Sequence, residues 1–164
     1  MQTIEEAKAY LKENWKKGVK CPCCNQLCML YDRKIDRDLS LSLIKIYKLQ
    51  QDTGKSWVHV QNELKFTSGN YGKLRFWGLL VPRGDEPEKD TKTSGYWSIT
   101  ELGKKFVNGK VSIPKSVLVY DNKKYGQSDK LVTIQEALGK KFSWSELMGD
   151  YLLKDEDTQQ GKLL

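Results

Sequence analysis

At 164 residues, with 38% hydrophobic and 10% aromatic side chains, the chain is long and apolar enough to bury a core, which excludes a disordered tail. Its 28 Lys and Arg against 21 Asp and Glu leave a formal charge of +7, so an acidic partner is expected. There is no apolar run of about 18 residues and no apolar signal region near Met1, which points away from a membrane and towards the cytoplasm.

Thr3 and Glu6 have the spacing of a capping box ahead of Ile4, Ala7, Tyr10, Leu11 and Trp15, which share one helical face. That face is expected to pack on the core, with Lys8, Lys12 and Lys16 solvated and Gly18 ending the helix. All 4 cysteines then fall between Cys21 and Cys28, too close together to staple distant parts of the fold. Cys21 and Cys24 have the C-x-x-C spacing of a zinc knuckle, whose turn aims two thiolates at one tetrahedral ion, and Pro22 and Asn25 are suitable turn residues.

A closed zinc site needs four ligands. Adjacent Cys23 and Cys24 do not easily serve one ion, so the metal set is Cys21, Cys24 and Cys28 with His59, or a site shared across a homodimer. The competing expectation is a small hairpin of reduced thiols that behave as small hydrophobes. A redox C-x-x-C lacks the strand and helix that would activate a thiol.

Leu39, Leu43, Ile46 and Tyr47, with Leu49 or Gln50, repeat at helical period between Asp38 and Gln51, with Asp36 or Asp38 as cap and Gly54 as stop. Thr53-Gly54-Lys55-Ser56 matches the tail of a phosphate-binding loop, but Leu49 stands where its first Gly belongs and a helix precedes it. It reads as a turn. Trp57 to Val60 begins a second helix or a short strand leading into it, with Val58, Val60 and Leu64 inward; the single histidine, His59, reads as a surface or cap residue.

From Ser68 to Gly78, Tyr71, Leu74 and Trp77 fall at i, i+3 and i+6, so one stripe of a helix faces the core while Lys73, Arg75 and Phe76 point away or to the flanks. Thr67 or Ser68 caps it and Gly78 ends it. No acid lies between Phe66 and Arg83, which suits a surface made for phosphates and for guanine edges. Leu79-Leu80-Val81 reads as a buried strand stopped by Pro82, and Gly95 to Ile99 as its hairpin partner across a polar tip from Gly84 to Ser94. Thr100 caps a helix through Val107, ended by Asn108-Gly109.

Between about residues 39 and 120 this order resembles the winged helix-turn-helix DNA-binding superfamily of phage and bacterial regulators. LRFWGLL, a polar tip and GYWSITELGKKF are similar to the end of a recognition helix, a wing and a post-wing helix, where a W-G-L turn and a y-x-x-T-x-x-G segment flank the wing. The resemblance implies an α+β fold, a three-helix core with a β-hairpin wing, and sequence-dependent binding of double-stranded DNA by a regulator of transcription or replication. One departure matters. The tip sets Asp85, Glu86, Glu88 and Asp90 against Lys89 and Lys92, so a phosphate backbone would repel it and the helix must carry the contact.

Val111 to Pro114 and Ser116 to Tyr120 read as extended, and Asp121-Asn122 as a turn before a basic loop, KKYGQSDK. Lys104, Lys105, Lys110, Lys115, Lys123, Lys124 and Lys130, against Asp121 and Asp129, make the densest positive ground, which reads either as a hold for a nucleic-acid backbone with Tyr120 and Tyr125 placed to stack a base, or as a solvated lysine-rich surface. Thr133 and Glu136 repeat the capping box ahead of one or two short helices bearing Leu138, Trp144, Leu147, Met148 and Tyr151, either a dimer element or a cover for the other helices. The chain divides into residues 1–35 (helix and knuckle), 36–120 (winged helix) and 121–164 (basic loop and helical extension).

The expected DNA contacts are Ser68, Asn70, Lys73, Arg75, Lys104, Lys105, Lys110, Lys123 and Lys124, with Lys73 and Arg75 in the groove. A second expectation is a phage-type protein-binding winged helix that inhibits a host protein through its acidic tip and C-terminal helix. One structural zinc is the only cofactor these residues suggest. With one histidine, no complete phosphate loop and no carboxylate pair at helical spacing, no catalytic constellation can be assembled, and an enzyme is not expected.

Overall fold

The computed structural model describes residues 2–66, 68–83 and 95–152, and the chain is α+β. The acidic tip from 84 to 94 and the Thr67 cap lie outside the described residues. The first helix, α1 (Ile4–Asn14), is peripheral, whereas α2 (Arg37–Thr53) buries Leu39, Leu43, Ile44, Ile46 and Tyr47. Asp36 begins α2 by accepting the Leu39 N–H at 2.8 Å, and Gly54 ends it in the left-handed region at φ 66°.

Beyond that turn come β4 (Val58–His59) and α3 (Val60–Leu64). His59 is the α3 cap, its Nδ1 accepting the Asn62 N–H at 3.2 Å, in keeping with the cap reading of the lone histidine. The segment expected as an α-helix from Ser68 to Gly78 is instead a 3₁₀ helix over Asn70–Trp77. Spacing is the reason. With three residues per turn, Tyr71, Leu74 and Trp77 stack directly above one another, and all are buried, whereas an α-helix would rotate each about a sixth of a turn from the last. Gly69 holds the cap position without a side-chain bond, although the neighbouring Ser68 Oγ accepts the Asn70 N–H at 3.2 Å.

Next, β5 (Leu80–Pro82) and β6 (Tyr96–Ile99) pair antiparallel, Leu80 opposite Ile99, and β4 joins the other edge of β6 to give the order β4-β6-β5. The two motif segments at this hairpin touch each other. Thr100 caps α4 (Glu101–Val107) by accepting the Gly103 N–H at 3.0 Å, and its hydroxyl donates to the carbonyl of Gly78. Gly103 is buried with its Cα against the Leu79 carbonyl, so the glycine is required by close approach of two backbones.

A second sheet has the order β3-β8-β9, from β3 (Tyr31–Lys34), β8 (Ser116–Tyr120) and β9 (Lys123–Gln127). The stretch expected as a basic loop is therefore largely a strand. Asp121 (φ 49°) and Asn122 (φ 58°) both take positive φ, as a two-residue hairpin turn requires, and this turn folds KKYGQ back onto β8. Each of the residue ranges 1–35, 36–120 and 121–164 contributes a strand to this sheet. Two further short pairs are β1 (Val19–Lys20) with β2 (Leu27–Cys28), and β7 (Ile113–Pro114) with β10 (Leu131–Val132).

The last helices, α5 (Ile134–Leu138) and α6 (Trp144–Met148), bury Ile134, Leu138 and Met148 in the core that α2 organises. Trp144 donates to the Val107 carbonyl at 2.8 Å, and the Tyr151 hydroxyl donates to Asp52 at 2.6 Å, so this extension covers the other helices. Helix α1 departs from expectation. Only Ala7 is buried while Ile4 and Tyr10 are exposed, because the helix is held at its C-terminal end, where Trp15, the last residue of the expected apolar face, rests on Tyr120 and Tyr125.

Candidate nucleic-acid interface

The three-residue turn sorts the 3₁₀ helix into three stripes. Tyr71, Leu74 and Trp77 form the buried one; Trp77 donates its indole N–H to the Pro114 carbonyl at 2.8 Å, and Tyr71 lies against Phe66 and Trp97. Burial pushes the Tyr71 phenol above its ordinary value. Asn70, Lys73 and Phe76 form the second stripe, and Arg75 lies on the third with its guanidinium 5.0 Å from the Phe76 ring. Lys73 is half-buried and Arg75 exposed. Among the described residues no ion pair engages either.

Asn70 and Lys73 of the second stripe face a cleft of about 860 Å³ between the 3₁₀ helix, the start of α2 and β3. Ser68, Asn70 and Lys73 line it, together with Arg33 and Lys34 from β3 and Lys45 from α2. Its aromatic wall is Phe66 and Tyr71, and the Lys45 ammonium lies 5.8 Å from the Phe66 ring. Three carboxylates, Asp32, Asp36 and Asp38, share the cleft, so its four cations are only partly uncompensated. Asp36 is engaged by the α2 cap.

Three of the expected DNA contacts are thus brought together, and the others lie elsewhere. Arg75 is outside the cleft. Lys104 pairs with Glu101 at 3.3 Å, Lys105 and Lys110 are exposed on α4 and just after it, and Lys123 and Lys124 lie on β9, where Lys124 donates to Gln127 at 2.6 Å. Sequence reasoning missed Arg33, Lys34 and Lys45. Nothing local marks them, since it is the pairing of β3 with β8 and the rotation of α2 that carry them to this wall.

At the cysteine knuckle, the Cys23 N–H donates to Cys21 Sγ at 3.3 Å, and the Cys21 N–H donates to the Gln26 carbonyl at 2.8 Å. Asn25 closes the turn at φ 64°, donating to the Cys21 carbonyl at 2.9 Å. The backbone amides of Cys24 and then Cys23 hold the Cys21 thiol below its ordinary range, and the Cys24 side chain adds to this. Cys28 does not join them. It is buried, its Sγ accepts the Tyr120 hydroxyl at 3.3 Å, and that bond is the first reason the Tyr120 phenol is pushed up to about 12.

Among the described residues, no group of three or more His, Cys, Asp or Glu side chains converges as a metal would require. No helix here is long and apolar enough to cross a membrane. Comparison with protein-family models, curated proteins and solved structures finds no match to this chain.

Proposed function

We propose that the protein binds double-stranded DNA as a winged helix, with the cleft at the head of the 3₁₀ helix as the contact surface and regulation of transcription or replication as its role. The chain order α2, β4, α3, 3₁₀ helix, β5, β6, α4 and the sheet order β4-β6-β5 support that architecture. The observation that carries the reading is the convergence of Lys73, Lys45, Arg33 and Lys34 around Ser68 and Asn70. Four cations from three elements surround one opening, beside neutral donors that can reach phosphate oxygens or base edges.

The carboxylates assign a division of labour. Asp32 and Asp38 repel phosphate from their own wall and can accept the amino hydrogens of cytosine, so the backbone runs past Lys45 and Lys73. Arg75, exposed on the third stripe beside the Phe76 ring, meets a phosphate beyond the cleft.

The test is fluorescence anisotropy with a duplex recovered by selection from a random pool, read over a range of salt. Lys45→Ala and Lys73→Ala should each weaken binding and lower the salt slope by about one. Asp38→Asn should tighten binding to unrelated duplex while narrowing the preference for the selected one. Retention of parental affinity and slope by the Lys45 and Lys73 variants together overturns the reading.

A further inference from the structure

We infer that two copies of the chain share one zinc ion, held by Cys21 and Cys24 of each. This inference is independent of the DNA reading. It begins with the knuckle, whose turn aims a backbone N–H at Cys21 Sγ and brings the Cys24 side chain to the same sulfur. Amides directed at sulfur disperse thiolate charge where no cationic side chain is needed, and a β-hairpin turn that does this presents two thiolates to one ion.

Zinc in a structural site takes four ligands, and the chain's other two cysteines and its histidine are poorly placed to complete a set with Cys21 and Cys24. Cys28 is buried under the Tyr120 hydroxyl. His59 uses Nδ1 to cap α3, and its Nε2 lies against Gly95, where a Cβ would stand 2.6 Å away. Cys23 spends its amide on Cys21 Sγ and adjoins Cys24, and adjacent residues do not easily serve one ion. The Cys21 and Cys24 thiolates of a second copy complete the set of four.

The hairpin is suited to meeting its own copy. Its tip is exposed, and Leu27, 64% exposed, stands beside it on β2, directly opposite Lys20. A two-fold axis through the ion would place the two Leu27 side chains against each other, the self-complementary contact of an isologous dimer. Four thiolates around one Zn²⁺ leave two negative charges, and Lys20, next to Cys21 in each copy, offsets them. Thiolate donors select zinc over hard cations such as Mg²⁺, and each thiol releases its proton on binding.

The experiment uses the full chain, reduced and metal-free, titrated with Zn²⁺ or Co²⁺ while mass is followed by light scattering. Saturation is expected at about half an equivalent per chain, with the mass doubling and with the visible spectrum of tetrahedral thiolate-bound cobalt. Cys21→Ser and Cys24→Ser should stay monomeric and lose that spectrum, Cys23→Ser should keep it, and Leu27→Glu should weaken dimerisation about tenfold or more. Tryptophan fluorescence reports folding of each variant, because the knuckle lies outside the main core. One ion per chain without a change in mass, no binding by the folded parent, or an unaffected Cys21→Ser protein would each overturn the proposal.

Discussion

Gln50 shows what a single side chain does in this fold. It is only 9% exposed and its carboxamide joins three segments: Oε1 accepts the Ile99 N–H at 2.7 Å, while Nε2 donates to the Ser56 carbonyl at 3.0 Å and the Lys55 carbonyl at 3.2 Å. The end of α2, the turn after it and the last residue of β6 are thereby tied at one point. Gln50→Leu keeps the volume and removes every partner, leaving a buried N–H unpaired at a cost of about 1–3 kcal/mol. Urea unfolding should show this as a lower midpoint at unchanged slope. Helical periodicity alone left Leu49 and Gln50 as alternatives for the inward position, since period records which direction a residue faces but not the hydrogen bonds that make a buried amide tolerable.

Elements differ in how far their own residues decide them. Helix α2 is bounded by an Asp36 cap and a left-handed Gly54, both local devices, and both were legible. For the 3₁₀ helix the spacing of Tyr71, Leu74 and Trp77 marked the buried stripe correctly, yet that same spacing of three signals the tighter helix, and this changes which cations travel together. In a 3₁₀ turn Lys73 shares its stripe with Asn70, and Arg75 is turned away by a third of a revolution. Helix α4 is positioned by a backbone approach. A methyl group on Gly103 would collide with the Leu79 carbonyl and the Ile99 side chain, so Gly103→Ala should destabilise the protein by about 1–3 kcal/mol or more, despite the better helix propensity of alanine. A fall in melting temperature measures it; an unchanged or raised value would show that α4 can slide away from β5.

At the scale of the whole molecule, one core runs from Ile35 to Met148, and among the described residues the N-terminal helix and the knuckle contribute nothing to it. Residues after Tyr120 supply β9, β10, α5 and α6, with Val132, Ile134, Leu138 and Met148 buried. A chain ended at Tyr120 would expose the faces that these residues cover and leave an edge of β8 unpaired. It should show no cooperative transition by calorimetry, whereas removal of residues 1–17 should leave one, because Ala7 is the only buried residue of α1. The second sheet takes one strand from each of residues 1–35, 36–120 and 121–164.

Turns, caps and stripes were decided within the sequence, as at Asp36, Gly54, Thr100, Thr133 and the Asn25 turn of the knuckle, because each rests on groups only a few residues apart. Tertiary structure alone decided that KKYGQ is a strand, that α1 keeps Ile4 and Tyr10 in solvent, that Cys28 belongs to Tyr120, and that Arg33, Lys34 and Lys45 meet Lys73 across a cleft. Each of these outcomes depends on a partner far along the chain, and no local pattern of charge or hydrophobicity encodes which distant backbone will offer its hydrogen bonds.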